Sequence, residues 1–311
     1  MSKRISIGTW AFLFNQERKI PFEEVVKGLH DLKFDGLELG GFDIHPNPDN
    51  TPTSEERAKV REMWESRGMG CSGLAADLWS ENLITAPSNA SYINTFQKNL
   101  QFCNDLGIDV IRVDTTEDPW VLGDVPGETR PEQVTTQVDY DTALRRVAET
   151  WRFCAQAAAD AGVRVVWEFE PGFAFNKPSD IFRVLDAVDH DNFMIMFDTC
   201  HADNVAVEGA RQPGEKETLP GGIRELAERL AGKIGRIHLI DSDGTLNEHK
   251  TSTHPPFGEG RLDFDDFMPA LANAGCPDDW WTIDLCFWPN AWDATAKCKT
   301  AIDALNEKYG G

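Results

Sequence analysis

Basic residues are scarce in this 311-residue sequence, with 30 Lys and Arg against 52 Asp and Glu and a formal net charge of −22 at pH 7. A surface of that charge repels phosphate backbones and anionic lipids. The sequence also has no apolar run of the roughly 18 residues that a membrane-spanning helix needs. We therefore expect neither nucleic acid nor a membrane as a partner.

Paired cysteine motifs are absent as well. The seven cysteines are scattered and odd in number, and none forms a Cys-x-x-Cys pair. Reduced thiols explain such a set better than a disulfide framework does. The first residues lack the apolar segment of a secretory signal. Together these observations predict a cytoplasmic protein.

The dominant pattern is a short apolar run, a polar loop and an amphipathic segment, repeated about eight times. The apolar runs predict strands at 5–10, 36–39, 70–75, 110–114, 163–170, 193–198, 234–241 and 281–285. The amphipathic segments predict helices at 22–32, 92–106, 140–161, 179–188, 222–230, 264–274 and 292–305, and Ser54 marks a further helix start.

Alternating strands and helices predict parallel pairing with right-handed crossovers. Eight units fit an α/β fold of the (β/α)8 or TIM-barrel type, predicted as a single domain over 1–311. No GxGxxG or GxxxxGK[ST] motif follows the first strand, which counts against a nucleotide-binding sheet. The longest predicted loops follow strands 4, 6 and 7, at 115–139, 202–221 and 242–263. In a barrel these loops share the face on which active sites lie.

Polar residues cluster where the predicted strands end: Glu38, Asp114, Glu168, Glu170, Asp198, His238, Asp241 and Asp284. Helix capping explains Glu38, Asp114 and Asp241 equally well. Four consecutive strands ending in Glu, Asp, His and Asp are harder to explain in that way. Since adjacent strands lie roughly 4.8 Å apart, these side chains can converge on one point. Three carboxylates and an imidazole suit one divalent ion, Mn²⁺ first and Mg²⁺ or Co²⁺ next, better than a structural zinc.

Four motifs in order carry a family resemblance: WEFEPG at 167–172, FDTCH at 197–201, IHLID at 237–241 and FGEGRLDF at 257–264. The segments GTW at 8–10 and GLE at 36–38 match the first two strand ends, so the resemblance covers nearly the whole chain. The sequence resembles the xylose-isomerase-like TIM barrels, the sugar phosphate isomerase/epimerase superfamily.

The resemblance implies a role for each matching position. Its metal ligands correspond to Glu170, Asp198, His238 and Asp284, although the strand-eight acid is usually Glu in ketose epimerases. The predicted catalytic groups are Glu170 as base, Asp284 and His201. The predicted substrate contacts are Glu168, His201, His254, Trp10 and Glu38. Because Glu168 lies two residues before Glu170 on the same side of the strand, it is also the alternative metal ligand.

The reaction that the resemblance implies is proton abstraction next to a sugar carbonyl, giving an enediolate, as in a metal-dependent isomerase or epimerase. Expulsion of a leaving group would instead make the enzyme a lyase, such as a dehydratase or an enzyme that cleaves oxo-glycosides or C-glycosides. An apurinic endonuclease shares this barrel, but the net charge and the seven histidines disfavour it. A non-catalytic subunit is a further alternative, and homo-oligomer formation stays open.

Overall fold

The computed structural model describes residues 2–311 and contains one eight-stranded parallel sheet. The strands are β1 (Arg4–Ile7), β2 (Gly36–Gly41), β3 (Gly70–Ala76), β4 (Val110–Val113), β5 (Arg164–Glu168), β6 (Phe193–Asp198), β7 (Ile234–Leu239) and β8 (Trp280–Ile283). From β2 to β8 each strand pairs with the next, and β1 pairs with β8. A parallel bridge between Gly8 and Glu38 joins the ends of β1 and β2. The predicted TIM barrel is confirmed.

Nine α-helices lie within residues 2–311 and connect the strands. They are α1 (Phe22–Asp31), α2 (Ser54–Glu65), α3 (Ala90–Leu106), α4 (Tyr140–Asp160), α5 (Pro178–Val188), α6 (Thr199–Asp203), α7 (Gly222–Arg229), α8 (Phe264–Ala272) and α9 (Ala291–Tyr309). Local sequence sets several of their ends. Thr53 and Glu56 cap the start of α2 reciprocally, and α3 ends at Gly107, whose φ of 69° is left-handed.

The structure corrects the predicted bounds of two elements near the barrel mouth. Strand β5 ends at Glu168 rather than at 170, because the chain turns there and the Phe173 N–H donates to the Glu170 carbonyl. The predicted loop after β6 is partly helical: α6 begins at Thr199 and continues into a π-helical segment, Asn204–Glu208. The Asp198 carboxylate accepts the His201 N–H at 2.7 Å and so caps this helix.

The packing core lies between the barrel and its helices, where Trp151 of α4 contacts Trp167 of β5 with ring centroids 5.4 Å apart. Inside the barrel, Arg236 is fully buried and lies 3.0 Å from Asp278 and 3.9 Å from Glu38. Charged side chains therefore extend through the barrel interior from Asp278, before β8, to Glu38, in β2. Within residues 2–311, no helix is both long and apolar enough to cross a membrane.

Candidate active site

A cavity of about 510 Å³ opens at the carboxyl ends of the strands, the face on which barrel enzymes carry their active sites. Polar and ionisable side chains form its floor, and apolar side chains from the loops form its upper wall. The polar and ionisable lining residues are Asn15, Arg112, Glu168, Glu170, His201, His249, Thr251, His254 and Asp284. Most predicted site residues therefore lie in or directly beneath one cavity.

The ends of four consecutive strands meet below this cavity. Glu168, Asp198, His238 and Asp284 each present one oxygen or nitrogen atom, and these atoms all lie within 4.8 Å of one another. All four side chains are buried. Glu170 does not belong to this group of four, because it lies beyond the end of β5. The geometry thus favours the alternative ligand, Glu168, and we name these four residues the strand-end cluster.

Each carboxylate of the strand-end cluster has one oxygen held by the protein. Asp198 Oδ1 caps α6, Asp284 Oδ1 accepts the Trp10 indole N–H at 2.6 Å, and Glu168 Oε2 lies 2.7 Å from Arg112 Nη1. The other oxygens turn inward, where Glu168 Oε1 and Asp284 Oδ2 lie 3.1 and 3.5 Å from His238 Nδ1. The second oxygens are therefore positioned before any ligand arrives.

Three atoms of the cluster are buried and make no aligned hydrogen bond within residues 2–311: Glu168 Oε1, Asp198 Oδ2 and His238 Nδ1. The first and last of these lie 3.1 Å apart, but the contact lacks hydrogen-bond alignment. Leaving buried polar atoms unpaired is costly, so native proteins rarely do so without a ligand. Oxygen and imidazole donors are the ligands that Mn²⁺, Mg²⁺, Co²⁺ and Zn²⁺ accept. The donor set fits a divalent metal ion.

Glu38 determines which nitrogen of His238 faces the cluster. His238 Nε2 lies 3.1 Å from Glu38 Oε2 and its N–H donates to that carboxylate, which turns Nδ1 toward the cluster. Burial opposes protonation of the ring, but Glu38, Asp284 and Glu168 outweigh it and raise the pKa of His238 well above the usual value. A bound metal ion would replace the proton on Nδ1. Burial opposes ionisation of Glu38, but nearby His238 and Arg236 outweigh it and lower its pKa below the usual value. Glu38 therefore lies below the cavity and contacts the cluster rather than a substrate.

Glu170 lines the cavity above the cluster and is 8% exposed. The Thr251 hydroxyl, from the loop after β7, donates a hydrogen bond to its Oε2. Burial, followed by the charges of Asp114 and Glu168, raises the pKa of Glu170 to about 8. Such a carboxyl group is suited to proton transfer near neutral pH.

Two histidines form one side of the cavity floor. His201 Nδ1 lies 2.9 Å from Ser252 Oγ, and the His201 and His254 ring centroids are 4.8 Å apart. Burial and the neighbouring His254 lower the pKa of His201 to about 3, so its ring is neutral at pH 7. His254 Nε2 has no hydrogen-bond partner within residues 2–311 and lies 3.7 Å from Asp284 Oδ2.

The other strand-end acids prove to have structural partners. Asp114 lies 3.2 Å from Arg112 Nη2, and Asp241 accepts backbone N–H groups of the loop after β7, including that of Gly258 at 2.9 Å. Sequence reasoning missed Arg112 and Thr251. A charged residue within the apolar run 110–113 was the available signal for Arg112, whereas nothing in the sequence indicates that Thr251 contacts Glu170.

Comparison with known proteins agrees with this architecture. The family model described as xylose isomerase-like TIM barrel matches residues 24–307. The chain belongs to this family. An inosose dehydratase from Yersinia enterocolitica is 23% identical over 220 residues, which are 71% of this chain and 63% of that protein. The chain thus spans less than two thirds of that relative's length.

Two solved structures share the fold over nearly the whole chain. A D-psicose 3-epimerase from Clostridium cellulolyticum H10, crystallised with D-tagatose, has a TM-score of 0.70 at 14% identity and covers 98% of this chain and 99% of its own. The IolI protein with a bound zinc atom has a TM-score of 0.70 at 16% identity, with the same coverage. The chain therefore has a scaffold that sugar epimerases use.

Proposed function

We propose that this protein is a divalent-metal-dependent isomerase or epimerase acting on a sugar or a related polyol. The observation that carries the proposal is the strand-end cluster, in which three buried ligand atoms lack partners among residues 2–311 below a cavity lined by Glu170 and His201. Glu168, Asp198, His238 and Asp284 would hold the ion. Mn²⁺ is our first choice, because oxygen donors predominate over the single imidazole.

The bound ion would supply a Lewis acid that polarises the substrate carbonyl and stabilises the negative charge developing on its oxygen. Glu170 is proposed as the base that takes the proton from the carbon next to that carbonyl. Glu168, Glu170 and His201 present atoms within 4.8 Å of one another, so Glu170 lies beside the cluster. Thr251 holds its carboxylate in place through the hydrogen bond to Oε2.

The fate of that proton decides the reaction. Its return to the opposite face of the same carbon gives the epimer, and its return to the former carbonyl carbon exchanges aldose and ketose. His201, a neutral ring on the cavity floor, is proposed to contact the substrate oxygens during this transfer. Asp284 is a less suitable second base than the sequence predicts, because Trp10 holds one of its oxygens at 2.6 Å.

A lyase is the second candidate function. The relationship to an inosose dehydratase favours it, since loss of hydroxide from the carbon β to the carbonyl would follow the same proton abstraction. In that case Glu170 would take the α-proton, and the departing hydroxide would gain a proton from a protonated cavity group such as His254, whose pKa is raised to about 9 by Asp284 and Asp198 against the effect of burial. The same base and the same cluster serve both reactions.

Turnover in D₂O tests the proposal. The native protein, loaded with Mn²⁺, would be screened against free ketoses, inososes and 3-oxo-glycosides. The product should carry deuterium at the carbon next to the carbonyl, and Glu170→Gln should exchange about 100-fold more slowly, as expected for a lost general base. Glu23→Gln changes an exposed carboxylate outside the cavity lining and serves as the control. Product without solvent deuterium would refute proton transfer as the mechanism.

A further inference from the structure

The upper wall of the active-site cavity is apolar, in contrast to its ionisable floor. Leu13, Phe14, Phe42, Trp79, Phe173 and Phe287 all line it, and they come from loops that follow different strands. A free sugar presents hydroxyl groups on almost every carbon and has little apolar surface to cover such a wall. The apolar wall therefore indicates that the substrate also has an apolar part.

The rings of this aromatic wall are organised against one another. Phe14 stacks on Phe287, with ring centroids 4.8 Å apart and an interplanar angle of 14°. It also stacks on Phe42, with ring centroids 5.8 Å apart and an interplanar angle of 12°. Trp79 contacts Phe42 at 4.7 Å and is 37% exposed. His249 also stacks on Phe287, with centroids 4.7 Å apart. The aromatic rings pack together and line the cavity, so they present apolar surface against which a further planar group could pack.

The backbone holds Phe287 in an unusual conformation. Its φ of 55° is left-handed, which is uncommon for a bulky residue and is found mainly where surrounding structure enforces it. The Asn15 side-chain amide donates to the Phe287 carbonyl at 2.8 Å and so ties the loop after β8 to the loop after β1. The backbone conformation and this hydrogen bond therefore hold Phe287 in place against Phe14.

Positive charge is scarce around the cavity. Among the described residues that line it, only Arg112 carries a permanent positive charge, and Glu168 and Asp114 already bind its guanidinium at 2.7 and 3.2 Å. Phosphate recognition relies on basic side chains or helix N-termini directed at the phosphate oxygens. No Lys or Arg side chain in this lining is therefore free to bind a phosphate group. The charge of His254, whose pKa is raised to about 9, is balanced by Asp198 and Asp284, which lie 3.8 and 3.7 Å from its Nε2.

We infer that the substrate is an unphosphorylated sugar or polyol that carries a planar apolar substituent, such as an aryl group. The polyol end would face the strand-end cluster, and the apolar group would lie against Phe14, Phe287 and Trp79. The inference rests on the proposed function for the orientation of the polyol. The apolar wall supports the planar apolar substituent, and the scarcity of cations supports the absence of a phosphate group.

Calorimetric titration of the Mn²⁺-loaded protein tests this inference without requiring turnover. The probes are phenyl β-D-glucopyranoside, methyl β-D-glucopyranoside and α-D-glucose 1-phosphate. Phenyl glucoside should bind at least about tenfold more tightly than methyl glucoside, because its ring leaves water for an apolar surface. Glucose 1-phosphate should bind no more tightly than methyl glucoside.

Variants locate the effect on the wall. Phe14→Ala and Trp79→Ala should each reduce the ratio of phenyl to methyl glucoside affinity by about threefold or more. Phe153→Ala removes an aromatic side chain, 48% exposed on α4, and should change neither affinity. The inference would be overturned if phenyl and methyl glucoside bound with equal affinity, or if neither bound measurably. It would also be overturned if glucose 1-phosphate bound more tightly than methyl glucoside, or if both wall variants kept the native preference. Loss of solvent exchange alone would overturn only the proposed function.

Discussion

The Nε2 atom of His238 lies 3.1 Å from Oε2 of Glu38, and both side chains are fully buried. This contact leaves His238 Nδ1 directed at the strand-end cluster, where it has no hydrogen-bond partner among residues 2–311. The sequence marks both residues as strand-end polar groups, but only the fold shows that one orients the other.

Glu38→Ala should weaken divalent metal binding by about 10–100-fold, the range expected when the partner of a histidine ligand is lost. Glu38→Gln retains a hydrogen-bond acceptor for Nε2–H and should have a smaller effect. Isothermal titration with Mn²⁺ measures both variants, and Glu55→Ala on exposed helix α2 is the control. An affinity in Glu38→Ala equal to that of the native protein would contradict this role.

Arg112→Met should destabilise the metal-free protein by about 3 kcal/mol or more. The guanidinium is the buried partner of both Glu168 and Asp114, and removing one member of a buried ion pair leaves uncompensated charge. Mn²⁺ should raise the melting temperature of this variant more than that of the native protein, because the ion would compensate Glu168. Differential scanning calorimetry measures both effects.

The matched control for this experiment is Arg145→Met. Arg145 pairs with Glu149 at the surface, where both side chains are more than half exposed, at 59% and 58%. Exposed pairs contribute little to stability. A similar loss of stability in the two variants, or an Mn²⁺ response of Arg112→Met no larger than that of the native protein, would argue against the buried role of Arg112.

His45 provides a pH-dependent test of the packing around Thr9 and Ile20. Its Nδ1 lies 3.1 Å from Thr9 Oγ1 and its Nε2 3.0 Å from the Ile20 carbonyl, and burial lowers its pKa from 6.5 to about 4. Between these values the unfolded chain binds a proton that the folded chain does not. The stabilising contribution of His45 is therefore complete above pH 6.5 and decreases as the pH falls toward 4.

His45→Gln removes this titration and retains a donor and an acceptor. Between about pH 7.5 and about pH 5, the native protein should lose about 2 kcal/mol more unfolding free energy than the variant does. Urea unfolding at the two pH values gives the comparison. The same pH dependence in both proteins would show that the His45 ring is protonated as easily when folded as when unfolded.

The sequence predicts the barrel well because each strand–helix unit repeats one pattern: a short apolar run for the strand, followed by apolar residues at helical spacing. It also places Asp198, His238 and Asp284 correctly at the ends of β6, β7 and β8. It could not distinguish Glu168 from Glu170, because both lie on the same side of the predicted strand, and only the structure shows the turn that ends β5 at Glu168. Contacts across loops, such as Thr251 with Glu170, have no local pattern to reveal them.

The central claim is that Glu168, and not Glu170, is a ligand of the metal ion. The most direct test titrates the native, Glu168→Gln and Glu170→Gln proteins with Mn²⁺ and measures the bound metal by elemental analysis after dialysis. The account predicts about one ion per chain in the native protein and in Glu170→Gln. In Glu168→Gln the affinity should fall by about 100-fold or more, since losing a ligand should cost at least as much as losing one of its partners. A Glu170→Gln protein that loses the ion while Glu168→Gln keeps it, or a native protein that binds none, would contradict the account.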